Sequence, residues 1–405
     1  MLTYLIVLLP ILYQIKSPIN VISLGELLLI PFMIKALIKK YSITHLKINV
    51  PKGLVGFYFV PIITTIIASS NSFFDFFDAI TIIIRIIFYF ILIILAQDYF
   101  NYEKGLNFYY VITMICFIYI VLQVLMHRIM NFDLPIPANF PQILKSEVFI
   151  TDVKKYYSYF GFRPASFFTE PSYYADFFMP ILFILLFNKD VVLFGKKITN
   201  IKRVIIAIMY SLGILLSTSS LGVVYLVVAW GTFIFLNYSS MKVNSYAKIL
   251  IIFLVFSLVL YVFKSSTFAY TLKRVANGSS MGARLIRGFI IFDNLNIFQK
   301  IFGIGLNNIG NYVIENGIKT IYDEQNLNYT VTLTNRLIAT GFVGTLSLIY
   351  FSCVQFFRRS KANRAMLIAM VVSFIFANGE YTYGFAFFYI WFLQIDKQEK
   401  SLNVN

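Results

Sequence analysis

The chain has 405 residues, of which 59% are apolar, 18% aromatic and only 13% charged. A water-soluble globule needs roughly 25% charged residues to solvate its surface, so this composition excludes one. The net charge of +16, from 34 Lys and Arg against 18 Asp and Glu, is spread through the gaps between apolar runs. That pattern argues for membrane topology and against a nucleic-acid partner.

Met1 to Tyr13 is apolar from its second residue, with no basic stretch ahead of it and no small-residue cleavage motif, so it is expected to be a retained first helix. Further apolar runs bring the predicted spans to about twelve: 2–15, 20–38, 53–70, 79–96, 106–126, 172–188, 203–217, 220–237, 248–263, 332–357, 364–378 and 382–395. Each is near the roughly 20 residues that cross a bilayer as a helix. The runs are continuous instead of alternating, which selects helices over a barrel. The expected fold is an all-α polytopic membrane protein, with residues 1–405 forming one integral membrane domain.

The even-numbered gaps carry Lys35, Lys39, Lys40, Lys47 and Lys52, then Lys189, Lys196, Lys197, Lys202 and Arg203, then Arg358, Arg359, Lys361 and Arg364. Short gaps of the other set, such as Asn71 to Asp78 and Ser217 to Ser220, contain no Lys or Arg. The positive-inside rule then puts both termini in the cytoplasm. Two connections are long, 127–171 and 264–331, and both fall on the outer side. Loops of this length in a compact protein are usually functional. The second contains Leu285 to Phe292 and Ile297 to Ile304, too short to span and expected as interfacial or re-entrant helices.

Cys116 and Cys353 both lie inside apolar runs, so no disulfide framework, zinc knuckle or redox pair is available. There is no Asp-x-Asp, HExxH or Walker A motif, so metal-dependent sugar-nucleotide transfer, zinc hydrolysis and ATP-driven transport lack their residues. No metal site and no cofactor are expected. His127 beside Arg128 reads as a capping or interfacial residue.

Two stretches carry candidate chemistry. In Gly161-Phe-Arg163-Pro-Ala-Ser-Phe-Phe-Thr-Glu170-Pro-Ser-Tyr173, an Arg and a Glu between prolines at a membrane surface offer a cation for phosphate and a carboxylate for proton abstraction. An Arg163–Glu170 ion pair explains the same residues without function. In Gly282-Ala-Arg284-Leu-Ile-Arg287-Gly288, the arginines are three apart and share a helix face, so both can grip a diphosphate or touch lipid headgroups. Gly303-Ile-Gly305-Leu-Asn307-Asn308 permits a tight turn or close backbone approach. Arg85 within the fourth span is costly in lipid, on the order of 2.5–3.5 kcal/mol on insertion scales, and Glu26 in the second span is its expected partner.

Together, Arg163-Pro-Ala-Ser-Phe-Phe-Thr-Glu-Pro-Ser, the Gly-x-Arg-x-x-x-Gly around Arg284, Gly303-Ile-Gly305 and Thr340-Gly341-Phe-Val-Gly344, with two long outer loops, resemble the O-antigen polymerase (Wzy-type) and O-antigen ligase superfamily. The resemblance implies a GT-C-like membrane glycosyltransferase of the bacterial inner membrane. It implies metal-independent, inverting polymerisation of undecaprenyl-diphosphate-linked oligosaccharide repeat units, with a chain-length regulator protein as a further partner. Arg163 and Arg284 take the family's phosphate-binding roles. Glu170 is the first candidate for the base, with Asp176, Glu324 and Glu380 in reserve, and Arg287, Tyr173, Asn307 and Glu324 are substrate contacts. Ligases of the superfamily carry a His near the end of the second loop, where this chain reads Asn326-Leu-Asn-Tyr-Thr330; this favours polymerase over ligase. A polysaccharide flippase remains the alternative from another class, although transporters place polar residues at mid-membrane.

Overall fold

A computed structural model describes residues 1–19, 22–44, 50–135, 137, 161–188, 190–237, 281–319, 330–357, 361–377, 379 and 381–402. In chain order the helices are α1 (Leu2–Leu12), α2 (Leu24–Thr44), α3 (Leu54–Ala68), α4 (Phe76–Tyr99), α5 (Tyr102–Met130), α6 (Pro171–Phe187), α7 (Asn200–Leu216), α8 (Ser220–Asn237), α9 (Met281–Asp293), α10 (Ile297–Phe302), α11 (Ile309–Glu315), α12 (Thr332–Phe357), α13 (Lys361–Phe376) and α14 (Tyr383–Leu402). The described strands are β1 (Val192–Leu193) and β2 (Lys196–Lys197), an antiparallel pair. Phe194 and Gly195 both take positive φ between them, as a two-residue hairpin turn matched to strand twist demands.

Eleven of the twelve apolar runs overlie helices, and the run 248–263 lies outside the described residues. Among the described residues three helices are long and apolar enough to cross a membrane: α4, α5 and α12. The outward faces of α5 and α7 are apolar. Val111, Ile115, Ile118, Leu122 and Leu125 form an exposed stripe along α5, and Ile201, Ile205, Ile208 and Leu212 form another along α7. Steps of three and four residues keep each stripe on one side of its helix. Water penalises such surfaces and hydrocarbon does not, which is why a chain with so few charges folds this way.

Helix ends follow capping chemistry that apolarity does not report. The Asp75 carboxylate accepts the Phe77 and Asp78 backbone N–H groups and starts α4 three residues before the apolar run. Asn101 does the same for α5 by accepting from Lys104. At the start of α2, Ser23 and Glu26 cap reciprocally: Ser23 N–H donates to the Glu26 carboxylate (2.7 Å) and Glu26 N–H to the Ser23 hydroxyl (3.2 Å). α1 stops at Leu12 because the chain turns into an antiparallel bridge between Lys16 and Ser23.

α6 and α14 are buried almost all round, Phe177 through Leu186 on one and Phe385 through Ile395 on the other. A helix apolar on every face belongs at the centre of a bundle. Trp391 of α14 stacks on Tyr109 of α5 at 5.0 Å and meets Phe100 edge-on at 5.1 Å. A second aromatic group, Phe57, Phe351, Phe374 and Phe385, joins α3, α12, α13 and α14.

Two breaks in helical hydrogen bonding organise the other half. Pro61 within α3 has no N–H, so it leaves the Phe57 carbonyl without its helical donor. Arg336 of α12, 0% exposed, supplies that donor at 2.8 Å. Its other hydrogen bonds reach the Gly344 carbonyl at 3.1 Å, the Ser347 hydroxyl at 3.0 Å and the Tyr381 hydroxyl. The guanidinium also lies over the Phe57 ring, 4.8 Å from its centre. α12 itself breaks at Gly341 (φ 63°, ψ −165°). The break releases carbonyls of the preceding turn, and the loop after α10 takes them: Ile304 N–H donates to Ile338 C=O at 3.0 Å and Gly305 N–H to Ala339 C=O at 2.9 Å.

Candidate functional site

The loop that begins at Gly161 and ends at Glu170 was expected at a membrane surface. It lies against the middle of α5. The Ser166 hydroxyl donates to the Cys116 carbonyl at 2.9 Å, and Ser166 N–H donates to the Gln123 side chain at 2.9 Å. Cys116 is 14 residues from either end of Tyr102–Met130, about 20 Å along the axis at 1.5 Å per residue. Thr169 N–H donates to the side-chain oxygen of Gln14, just beyond α1, at 2.5 Å. Buried irregular backbone must find its partners inside the protein, and these side chains supply them. Phe167 stacks on Tyr119 at 4.7 Å, and Phe162 stacks on His127 at 3.7 Å. His127 Nδ1 is 2.6 Å from the Asp133 carboxylate, so the histidine helps hold the loop at the end of α5.

The loop delivers Glu170 to the start of α6, where Pro171 occupies the first turn as its missing N–H allows. Glu170, Tyr173 and Asp176 follow at intervals of three, which makes each a neighbour of the next on the helix surface. Glu170 is exposed and accepts from the Ser172 hydroxyl at 3.1 Å. Tyr173, 37% exposed, is within electrostatic reach of Glu170, Tyr13, Asp176 and Arg284. Tyr173 in the first turn of α6 and Arg284 of α9, more than 100 positions apart in sequence, are therefore within electrostatic reach of each other. Of the expected site residues, Glu170 and Arg284 both lie within electrostatic reach of Tyr173.

The others are placed differently. Arg163 is half-buried at the start of the anchored loop. Arg287, expected beside Arg284 on an interfacial face, is 0% exposed; neighbouring Gly288 packs so tightly on Thr334 that a Cβ there would lie 2.2 Å from its hydroxyl. Asn307 is half-buried at φ 60° in the turn after Gly305. The next residue, Asn308, accepts the Asp75 N–H at 2.6 Å and so docks this turn on the connection between α3 and α4. Glu324 and Glu380 lie outside the described residues.

Sequence reasoning missed several members of the cluster. Tyr13 and Tyr383 face each other with ring centres 4.2 Å apart, and Tyr173 is 6.3 Å from Tyr383. Tyr383 is within electrostatic reach of Tyr173, Asp176, Tyr13 and Glu170. The Asp176 carboxylate accepts from the Tyr225 hydroxyl of α8 at 2.6 Å. Nothing in the sequence separates these from the rest of the 28 tyrosines. Glu26, 2% exposed, accepts from the Tyr89 hydroxyl at 2.7 Å as well as from Ser23. Glu26 and Arg85 both act on Tyr13 and on Tyr89, so the two intramembrane charges singled out by the sequence share one neighbourhood with the tyrosines.

Gly303-Ile-Gly305 and Thr340-Gly341 also come together, through backbone contact. A Cβ on Gly303 would lie 2.2 Å from the Ala339 carbonyl oxygen, and one on Gly341 would lie 2.3 Å from that of Ile301. Both residues take positive φ, so glycine is required there twice over. These motifs build the scaffold that carries α9. Among the described residues no group of three or more His, Cys, Asp or Glu side chains is arranged to hold a metal ion. The cluster as a whole offers carboxylates, hydroxyls and aromatic faces beside guanidinium groups, which suits a polyhydroxylated ligand carrying negative charge. No protein-family model matches the sequence, and no curated protein is found to be similar to it.

Proposed function

We propose that this protein is a membrane glycosyltransferase that joins lipid-diphosphate-linked oligosaccharide units into surface polysaccharide, as the resemblance to Wzy-type polymerases implies. One observation carries the reading. Glu170 at the end of the first long loop and Arg284 from the second, read in the sequence as base and diphosphate ligand, both lie within electrostatic reach of Tyr173 on α6. In this reading about twelve spans put both termini in the cytoplasm and the cluster on the outer side of the bacterial inner membrane. Arg163 and Arg284 hold the diphosphate of the donor, and their charge stabilises the departing lipid diphosphate without a metal ion. A carboxylate of the cluster takes the proton of the acceptor hydroxyl. The tyrosine rings give sugar faces a surface to stack on.

A flippase reading has an observation of its own. Glu26, Arg85 and Asp176 are ionisable residues within helices, and intramembrane ionisable groups mark transport pathways as readily as active sites. Lipid-linked glycan length in a deletion strain separates the readings. A polymerase deletion leaves single repeat units displayed outside, a flippase deletion traps them inside, and a ligase deletion accumulates long chains on the carrier lipid. Arg163→Ala protein at normal membrane abundance is expected to reproduce the single-unit phenotype. Long-chain polysaccharide at wild-type levels from that variant contradicts the assignment of Arg163.

A further inference from the structure

Two carboxylates of the cluster lie within electrostatic reach of each other, Glu170 and Asp176, and they are held in different ways. Glu170 is exposed at the helix cap, and its hydrogen bond is to the hydroxyl of its near neighbour Ser172. Asp176 is half-buried on the second turn of α6, one of the two central helices. Its carboxylate is fixed by the hydroxyl of Tyr225, itself 3% exposed, at 2.6 Å. The Asp176–Tyr225 hydrogen bond therefore ties α6 to α8 around one carboxylate. A proton acceptor in catalysis must be held in register with the reacting atom, and a rigid helix holds it better than an exposed cap.

Resting on the polymerase reading, we infer that Asp176, and not Glu170, accepts the proton of the acceptor sugar hydroxyl. Tyr173 and Tyr383 lie within electrostatic reach of it, and a pyranose stacked on the exposed Tyr173 ring presents a hydroxyl to the carboxylate. The hydroxyl oxygen forms the new bond to the donor anomeric carbon as the bond from that carbon to the diphosphate oxygen breaks. The electron pair leaves with the lipid diphosphate towards Arg284. The proton passes to the Asp176 carboxylate and from there to water. Tyr225 is a positioning residue.

The test uses full-length protein purified into lipid nanodiscs, with undecaprenyl-diphosphate-linked repeat units extracted from the producing strain lacking this protein. Asp176→Asn is expected to lower kcat by about 100-fold or more, the usual contribution of a general base, with KM little changed. Glu170→Gln is expected to lose less than about tenfold, since it forfeits no base. Tyr225→Phe is expected to reduce kcat about tenfold at constant KM, and it carries the test if Asp176→Asn does not fold. Full turnover by folded Asp176→Asn, unchanged kcat in Tyr225→Phe, or a larger loss in Glu170→Gln than in Asp176→Asn overturns the inference. Wild-type protein that forms no polymer overturns the polymerase reading itself, an outcome distinct from any difference among the variants.

Discussion

Arg336 and Arg284 are the same residue type in the same half of the chain, and they live opposite lives. Arg336 is completely buried and spends its donors on the Phe57 and Gly344 carbonyls and on the Ser347 and Tyr381 hydroxyls. Arg284 is half-buried on a helix between the long apolar runs and acts through space on Tyr173 of α6. A charge placed deep in an apolar protein is thus not evidence of a site by itself. What satisfies it decides: backbone carbonyls freed by Pro61 mark a structural staple, whereas carboxylates and hydroxyls open to one side mark a candidate site.

The largest expected effect is at the staple. Arg336→Met removes four hydrogen bonds to buried carbonyls and hydroxyls, at about 1–3 kcal/mol for each group left unsatisfied, read as lost membrane abundance and a lowered melting temperature in detergent. Arg336→Lys keeps the charge, loses the planar fork and is expected to fare little better. Adding Pro61→Ala restores a backbone N–H to Phe57 and should recover about 1 kcal/mol of the loss. A double mutant no more stable than Arg336→Met breaks the link between the proline and the arginine.

The glycine contact comes next. Gly341→Ala meets both a positive φ and the Ile301 carbonyl oxygen at 2.3 Å, and is expected to destabilise by on the order of 3 kcal/mol. Gly195→Ala, with positive φ but open space around its Cβ, should cost only about 1 kcal/mol. Equal melting temperatures for the two would show that the close approach of the α10 loop to α12 contributes nothing.

Much of the helical frame was legible because apolar runs and helices share a cause: in hydrocarbon the backbone must satisfy itself. Helix ends were less legible, since Asp75, Asn101 and Ser23 set them through capping that hydropathy does not register. The sequence also pointed to Glu170, Tyr173 and Arg284, whose residue types fit diphosphate and sugar chemistry. It did not reveal that Arg287 is buried, or that Tyr13, Tyr225 and Tyr383 join the cluster, because those facts depend on which helices are neighbours. Arg336 carried a readable signal, a charge inside an apolar run with Pro61 in another, but only the packing of α3 on α12 connects them.

The most direct measurement is lipid-linked glycan length in a strain producing Arg284→Ala, normalised to the folded protein recovered from the membrane. A half-buried arginine outside the staple should change stability by no more than about 0.5–1 kcal/mol. The account predicts wild-type abundance with glycan confined to single repeat units. Long-chain polysaccharide at wild-type abundance would contradict it.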